Sequence, residues 1–197
     1  MGRIGESQEN VEVVRGVRIA LSPASERASQ RRALDERLAI RFPSLYRLLA
    51  DALMRLPPRS RLRRLVLARR VRQAYAASNR RDIDAVFVGW DPNIEYRPSE
   101  DLMPPDLEGA FHGHDGYLAL WRYWRDAFDD IRWDPEEVLD LGDRLLVETQ
   151  QRGHGSGSGV AVSEPVFQLF TFRSGLVIRQ EDFRDRAKAL EAAGLRK

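Results

Sequence analysis

The apolar periodicity of this 197-residue chain shifts near Val86 from mostly helical to mostly strand-like, and that shift limits what the chain can fold into. Before it, apolar residues recur every three or four positions. Leu45, Leu48, Leu49, Leu53 and Leu56 form one such stripe, the mark of an amphipathic helix. After it come short runs rich in β-branched and aromatic residues, such as "VFQLFTF" and "LVIRQEDF", separated by glycine-containing turns. Helices first and strands afterwards indicate an α+β fold rather than a parallel α/β sheet.

The pattern predicts a short helix over Ser7–Val17, a polar break over Ala20–Arg32, helices over Ala33–Phe42 and Pro43–Leu56, and a long helix from Arg59 to Ser78. A short helix, a strand ending at Pro98, a loop over Ser99–Gly113 and a helix over His114–Asp130 come next. About four antiparallel strands complete the sheet, with turns at Gly142-Asp143, Ser156–Gly159 and Ser174-Gly175. A terminal helix is capped by Asp185 and stopped by Gly194.

Composition removes several function classes. There is no cysteine, which excludes disulfides, thiolate metal sites and cysteine nucleophiles. No apolar run approaches the roughly 18 residues of a membrane span, and Met1–Glu6 lack the apolar stretch of a secretory signal. A cytoplasmic protein with no membrane partner is the expectation. Residues 1–81 carry a net charge of +12 and residues 82–197 a net charge of −10. Arginine-rich helices lying against the acidic remainder of the chain, or of a dimer mate, account for that asymmetry. A basic footprint alone is non-specific, and only two of 32 basic residues are lysine, which argues against a nucleic-acid partner.

The segments "VRQAYAASNRRDIDAV", "DPNIEYRP", "FHGHDGYLALWRYW", "LGDRLLVETQQRGHGSGSGV", "PVFQLFTFRSGLVIRQEDF" and "DRAKALEAAGL" occur in an order that resembles the SnoaL-like branch of the nuclear transport factor 2-like superfamily. The resemblance covers about residues 69–195. It implies a cone: a curved antiparallel sheet wrapped over helices around a blind apolar pocket, dimerising through the sheet. Residues 1–66 then form an Arg-rich helical extension or insertion, and residues 67–197 the cone domain. The implied function is binding of a small apolar molecule. If catalytic, the protein would be a cofactor-free isomerase, cyclase, dehydratase or hydrolase working by acid–base chemistry next to a carbonyl. The alternative is a non-catalytic ligand-binding or protein-interaction module acting through the basic extension.

Candidate residues follow from chemistry and alternation. His112 and His114 flank Gly113 at a loop-to-helix junction, and no third ligand is evident, so no metal is expected. His112 precedes the helix and is a candidate proton shuttle. No phosphate-binding glycine loop, dinucleotide fingerprint or nucleophilic serine motif is present, so no cofactor is expected. Tyr75 matches the tyrosine that the resemblance places on the first cone helix, with Asp82, Asp84 and Asp91 as acids of uncertain register. Tyr96, Trp121, Trp124, Gln168, Phe170 and Phe183 are candidate pocket-lining residues. On the last strand Arg179, Glu181 and Phe183 share one face, opposed by Gln180, Asp182 and Arg184. If Glu148, Gln168 and Glu181 face inward, they supply desolvated carboxylates for a general base, and Tyr75 or Tyr96 the enolate donor. Otherwise they form the polar outer face of the sheet. Alternation does not say which face is inside.

Overall fold

The computed structural model describes residues 16–21, 31–99, 102–103 and 110–195. Among the described residues there are six helices and seven strands: β1 (Val17–Ala20), α1 (Leu34–Arg41), α2 (Pro43–Arg55), α3 (Arg61–Asn79), α4 (Ile83–Phe87), β2 (Trp90–Pro98), β3 (Phe111–His112), α5 (Gly113–Ala127), β4 (Arg132–Asp140), β5 (Arg144–His154), β6 (Ala161–Arg173), β7 (Leu176–Phe183) and α6 (Arg186–Ala192). Residues 7–15 of the expected first helix lie outside the described residues. Val17 belongs instead to strand β1, which pairs with β4 from Val17↔Asp140 to Ala20↔Glu137. The boundary expected at residue 66 falls inside α3, a single continuous helix.

Local chemistry explains the helix ends. Pro43 occupies the first turn of α2, where its missing N–H costs nothing. The Ser60, Asp82 and Asp185 side chains accept backbone N–H groups at the starts of α3, α4 and α6. Gly194 takes a positive φ of 75° beyond α6, and the Leu195 N–H closes back on the Leu190 carbonyl.

The strands form one curved, unclosed sheet in the order β1-β4-β5-β6-β7-β2-β3. All pairings are antiparallel except β2–β7, which is parallel. Register shifts between Pro135 and Glu137, and between Thr171 and Phe172, mark bulges that bend the strands. The inner face packs on α3: Leu67, Ala68, Val71 and Tyr75 meet Val138, Leu145 and Val147. The outer face is covered in part by α6, with Ala189, Leu190 and Ala193 on Leu139, Leu146, Phe167 and Leu169.

Helices α1 and α2 close one side of the inner space. Gly175, at φ 78° in the β6–β7 turn, touches the α2 backbone so closely that a Cβ there would collide with the Asp51 nitrogen and stand 2.8 Å from the Arg47 carbonyl oxygen. A buried arginine fastens the other end. Arg63 is 1% exposed and forks onto Asp140, 0% exposed, through two 2.7 Å bonds. It also donates to the Met54 and Leu56 carbonyls at the end of α2 (2.5 and 2.6 Å) and to the Gly142 carbonyl. We predict that Arg63→Met lowers stability by about 3–5 kcal/mol, because Asp140 is left buried and uncompensated. Removing Asp140 as well, in Arg63→Met/Asp140→Leu, recovers part of the loss, as read from urea unfolding midpoints.

Candidate active site

A cavity of about 200 Å³ lies between the inner face of the sheet and α1, α2, α3 and α5. Its wall is mostly apolar, with Val71, Trp90, Trp121, Trp133, Val147 and Phe170 among the residues exposed to it. Trp133 is held in place rather than merely packed. Its backbone N–H and C=O form a reciprocal pair with the Asn79 side chain at the end of α3, and its indole N–H donates to Gln151.

The buried end of the cavity carries one carboxylate. Asp182, on β7, is 6% exposed. Its Oδ2 accepts from the Tyr96 hydroxyl (2.7 Å) and from Gln168 Nε2 (2.9 Å), and its Oδ1 accepts from Gln180 Nε2 (2.8 Å). The Tyr75 hydroxyl donates to Gln168 Oε1 at 2.5 Å, which fixes that amide with its NH₂ toward the acid. Burial pushes the Asp182 carboxyl up to about 6, while the bonds from Gln180, Tyr96 and Gln168 pull it back down. All three donors are neutral, so they offset the desolvation without abolishing it. Tyr75, Tyr96 and Tyr117 are raised in turn, first by burial and then by the Asp182 charge. All three are therefore hydrogen donors at neutral pH.

Two polar groups at this floor have spare capacity. Gln180 Oε1 is buried without a hydrogen-bond partner among the described residues. Tyr117, on α5, lines the cavity with its ring edge-on to Trp90 (4.5 Å) and Tyr96 (5.7 Å), and its hydroxyl has no partner among the described residues.

The structure brings Tyr75, Tyr96, Trp121, Gln168 and Phe170 to one cavity. It places the other candidates elsewhere. Glu148 pairs across from Phe167 on the outer face and reaches Arg186 at 3.7 Å. Glu181 pairs with Leu169, and Phe183 packs into the outer cluster beneath α6. The inward orientation considered for Glu148 and Glu181 is thus replaced by that of Asp182 and Gln180. Trp124 stacks on Phe128 and does not line the cavity. His112 is exposed on β3, at the N-terminal cap position of α5. His114 stacks on Phe87, ring centroids 3.9 Å apart. Tyr117 was not singled out by sequence, although its spacing to Leu120, Trp121 and Trp124 places it on the apolar face of α5.

Comparison with known proteins agrees with this fold. The SnoaL-like domain family matches residues 71–180. A nuclear transport factor 2-like protein of unknown function from Burkholderia pseudomallei superposes with a TM-score of 0.54 at 26% identity, covering 62% of this chain and 93% of that one. TerC, co-crystallised with polyporic acid, superposes with a TM-score of 0.54 at 25% identity, covering 62% of this chain and 94% of its own. Bal32a, from a soil-derived mobile gene cassette, gives 0.53 at 19% identity, over 64% and 93% of the two chains. No curated protein sequence matches the chain.

The raised Asp182 carboxyl sets a stability test. Its folded affinity for a proton exceeds the ordinary carboxyl value of 3.8, so folding takes up a proton between about pH 4 and 6 and stability falls as pH rises through that window. Asp182→Asn removes the penalty. The Asn amide is accommodated if Gln180 turns its free oxygen toward it. The variant is expected to be more stable than wild type at about pH 8, by on the order of 3 kcal/mol, with the difference vanishing below about pH 4. Urea unfolding across pH measures it.

Proposed function

Because this chain belongs to the SnoaL-like domain family, we propose that its cavity takes up a small apolar carbonyl compound and that Asp182 moves a proton at the carbon beside the carbonyl. The observation that carries the reading is a lone carboxylate, raised to about 6, at the buried end of an apolar cavity. A base poised slightly below neutral pH is ionised in the cell yet close enough in affinity to accept a carbon-bound proton and return it. TerC, a fold neighbour, was crystallised with a small organic acid, polyporic acid, which supports a small-molecule occupant.

Each atom has a stated task. Oδ2 already accepts two hydrogen bonds, whereas Oδ1 accepts one and is the oxygen that receives the substrate proton. The electron pair of the broken C–H bond moves to the carbonyl oxygen. The Tyr117 hydroxyl, free and kept protonated by its surroundings, donates to that developing enolate oxygen. Once Oδ1 carries the proton it needs an acceptor, and the unpartnered Gln180 oxygen supplies one by rotation of the amide. Return of the proton to a different carbon gives isomerisation. Attack of the enolate carbon on a second carbonyl of the same molecule, with the Asp182 proton passing to the new alkoxide oxygen, gives cyclisation. Tyr75, acting through Gln168, is a positioning residue.

The test needs no knowledge of the natural substrate. Enolisable fused-ring ketones such as α-tetralone are incubated with the protein in deuterated water, and label beside the carbonyl is followed by NMR. Wild-type protein should accelerate exchange, with a rate rising as pH increases through about 6. Asp182→Asn should lower the rate by about 10²–10⁴-fold, and Tyr117→Phe by about 10²-fold. Tight binding of the ketones without exchange would replace this reading with that of a ligand-binding module.

A further inference from the structure

The two ends of the cavity differ in charge as well as in burial. At the open end Asp35 is exposed and Gln73 and Arg70 are half-buried, in contrast to the buried floor. The carboxylates at this rim are already matched. Asp35 accepts from Arg69 at 2.8 Å and from Gln73 at 2.9 Å. Glu36 accepts from Arg80 at 2.8 Å and from the Ala33 N–H. Arg32 is taken by Asp82 and Asp84. Arg70 is left over. It lines the cavity, and among the described residues it has no carboxylate partner; its guanidinium lies over the Tyr46 ring, 4.1 Å from the centroid.

That contact occupies one face of the guanidinium and leaves its N–H groups available, and arginine recognises planar anions through such groups. Tyr46 lines the same cavity, and its hydroxyl is also without a hydrogen-bond partner among the described residues. Its place depends on Gly89: a Cβ there would come within 2.8 Å of the Tyr46 oxygen. Arg70 precedes Tyr75 by five residues on the same helix, about 7.5 Å of axial rise, and Tyr75 is bonded to the Gln168 amide that holds Asp182.

We infer that Arg70, with the Tyr46 hydroxyl, binds the anionic end of the ligand. The substrate class is then an amphipathic organic acid, with a carboxylate or similar oxyanion at the rim and an apolar body reaching inward to the floor. The inference rests on the proposed chemistry only for the carbonyl end; the anion site stands on the rim geometry.

A matched pair of fluorescent probes tests it: anilinonaphthalene sulfonate and the neutral phenylnaphthylamine that lacks the sulfonate. Wild-type protein should prefer the sulfonate. Arg70→Met should weaken sulfonate binding about tenfold and leave the neutral probe unchanged, while Arg70→Lys keeps part of the preference. Arg47→Met, an exposed arginine outside the cavity lining, should change neither. Equal losses for both probes in Arg70→Met would reduce Arg70 to a packing role. No loss, or the same loss in Arg47→Met, would place the sulfonate elsewhere; either result overturns the inference. Asp182→Asn separates the two readings. It should lower deuterium exchange by about 10²–10⁴-fold yet retain the sulfonate preference; unchanged exchange with the preference kept sinks the proposed chemistry alone, and lost exchange with no sulfonate preference in the wild type sinks the anion site alone.

Discussion

Arg63 reaches from the first turn of α3 to a buried carboxylate and to three backbone carbonyls, and the cavity wall depends on that reach. A guanidinium with 1% exposure is tolerable only when its donors are met. The partners come from the end of α2, from β4 and from the β4–β5 turn, so these pieces are positioned together. Helix α2 needs such a clamp. Its only fully buried residue is Ala50, while Leu45, Leu48 and Leu49 face solvent. Little apolar area therefore holds it to the rest of the molecule, yet it supplies Tyr46, Leu53 and Met54 to the cavity. The contact of Gly175 with its backbone sets how closely it approaches, and Arg63 sets where it ends.

Most of the helical architecture was legible because its ends carry local chemistry. Pro43, Ser60, Asp82, Asp185 and Gly194 each act within a few residues of themselves, and the helices begin and stop where those residues require. Strand β1 was not legible. Val17 extends a helical spacing from Val11 and Val14, and four residues are too few to show an alternation of their own. Pairing with β4 decides their conformation, and that is a contact across more than a hundred residues. The parallel β2–β7 pairing has the same origin, since nothing local to Ile94 or Tyr96 specifies which edge of the sheet they will join.

The chemistry of the site was legible in kind, but its carboxylate turned on a single residue of register. The Ser174-Gly175 turn starts the β6–β7 ladder at Arg173↔Leu176 and Phe172↔Val177. Continued without interruption, that ladder sets Gln168 opposite Glu181. The bulge between Phe172 and Thr171 adds one residue to β7, and Gln168 meets Asp182 instead. Glu148 depends likewise on the glycine- and serine-rich loop before β6. With His154 paired to Ala161, Val147 falls opposite Gln168, and Glu148 is turned to the other face. A bulge and a loop length are set by tertiary packing, and neither leaves a mark in the alternation of side chains. Tyr75 was less exposed to this error, because Leu67, Ala68 and Val71 share its face of α3, whereas β6 carries apolar residues on both faces, so its neighbours did not say which way Gln168 points.

The origin of each part of the cavity also separates its two ends. The family match spans residues 71–180 and so takes in Tyr75, Tyr96, Tyr117, Gln168 and Gln180, with Asp182 two residues beyond its end. Tyr46, Arg63 and Arg70 fall before it, on α2 and the first half of α3. The buried Arg63–Asp140 pair joins these two parts, with one partner in the helical segment and the other in the sheet. Loss of either partner would leave the other buried and unpaired, which ties the rim to the sheet as a wall of the cavity rather than an appendage to it.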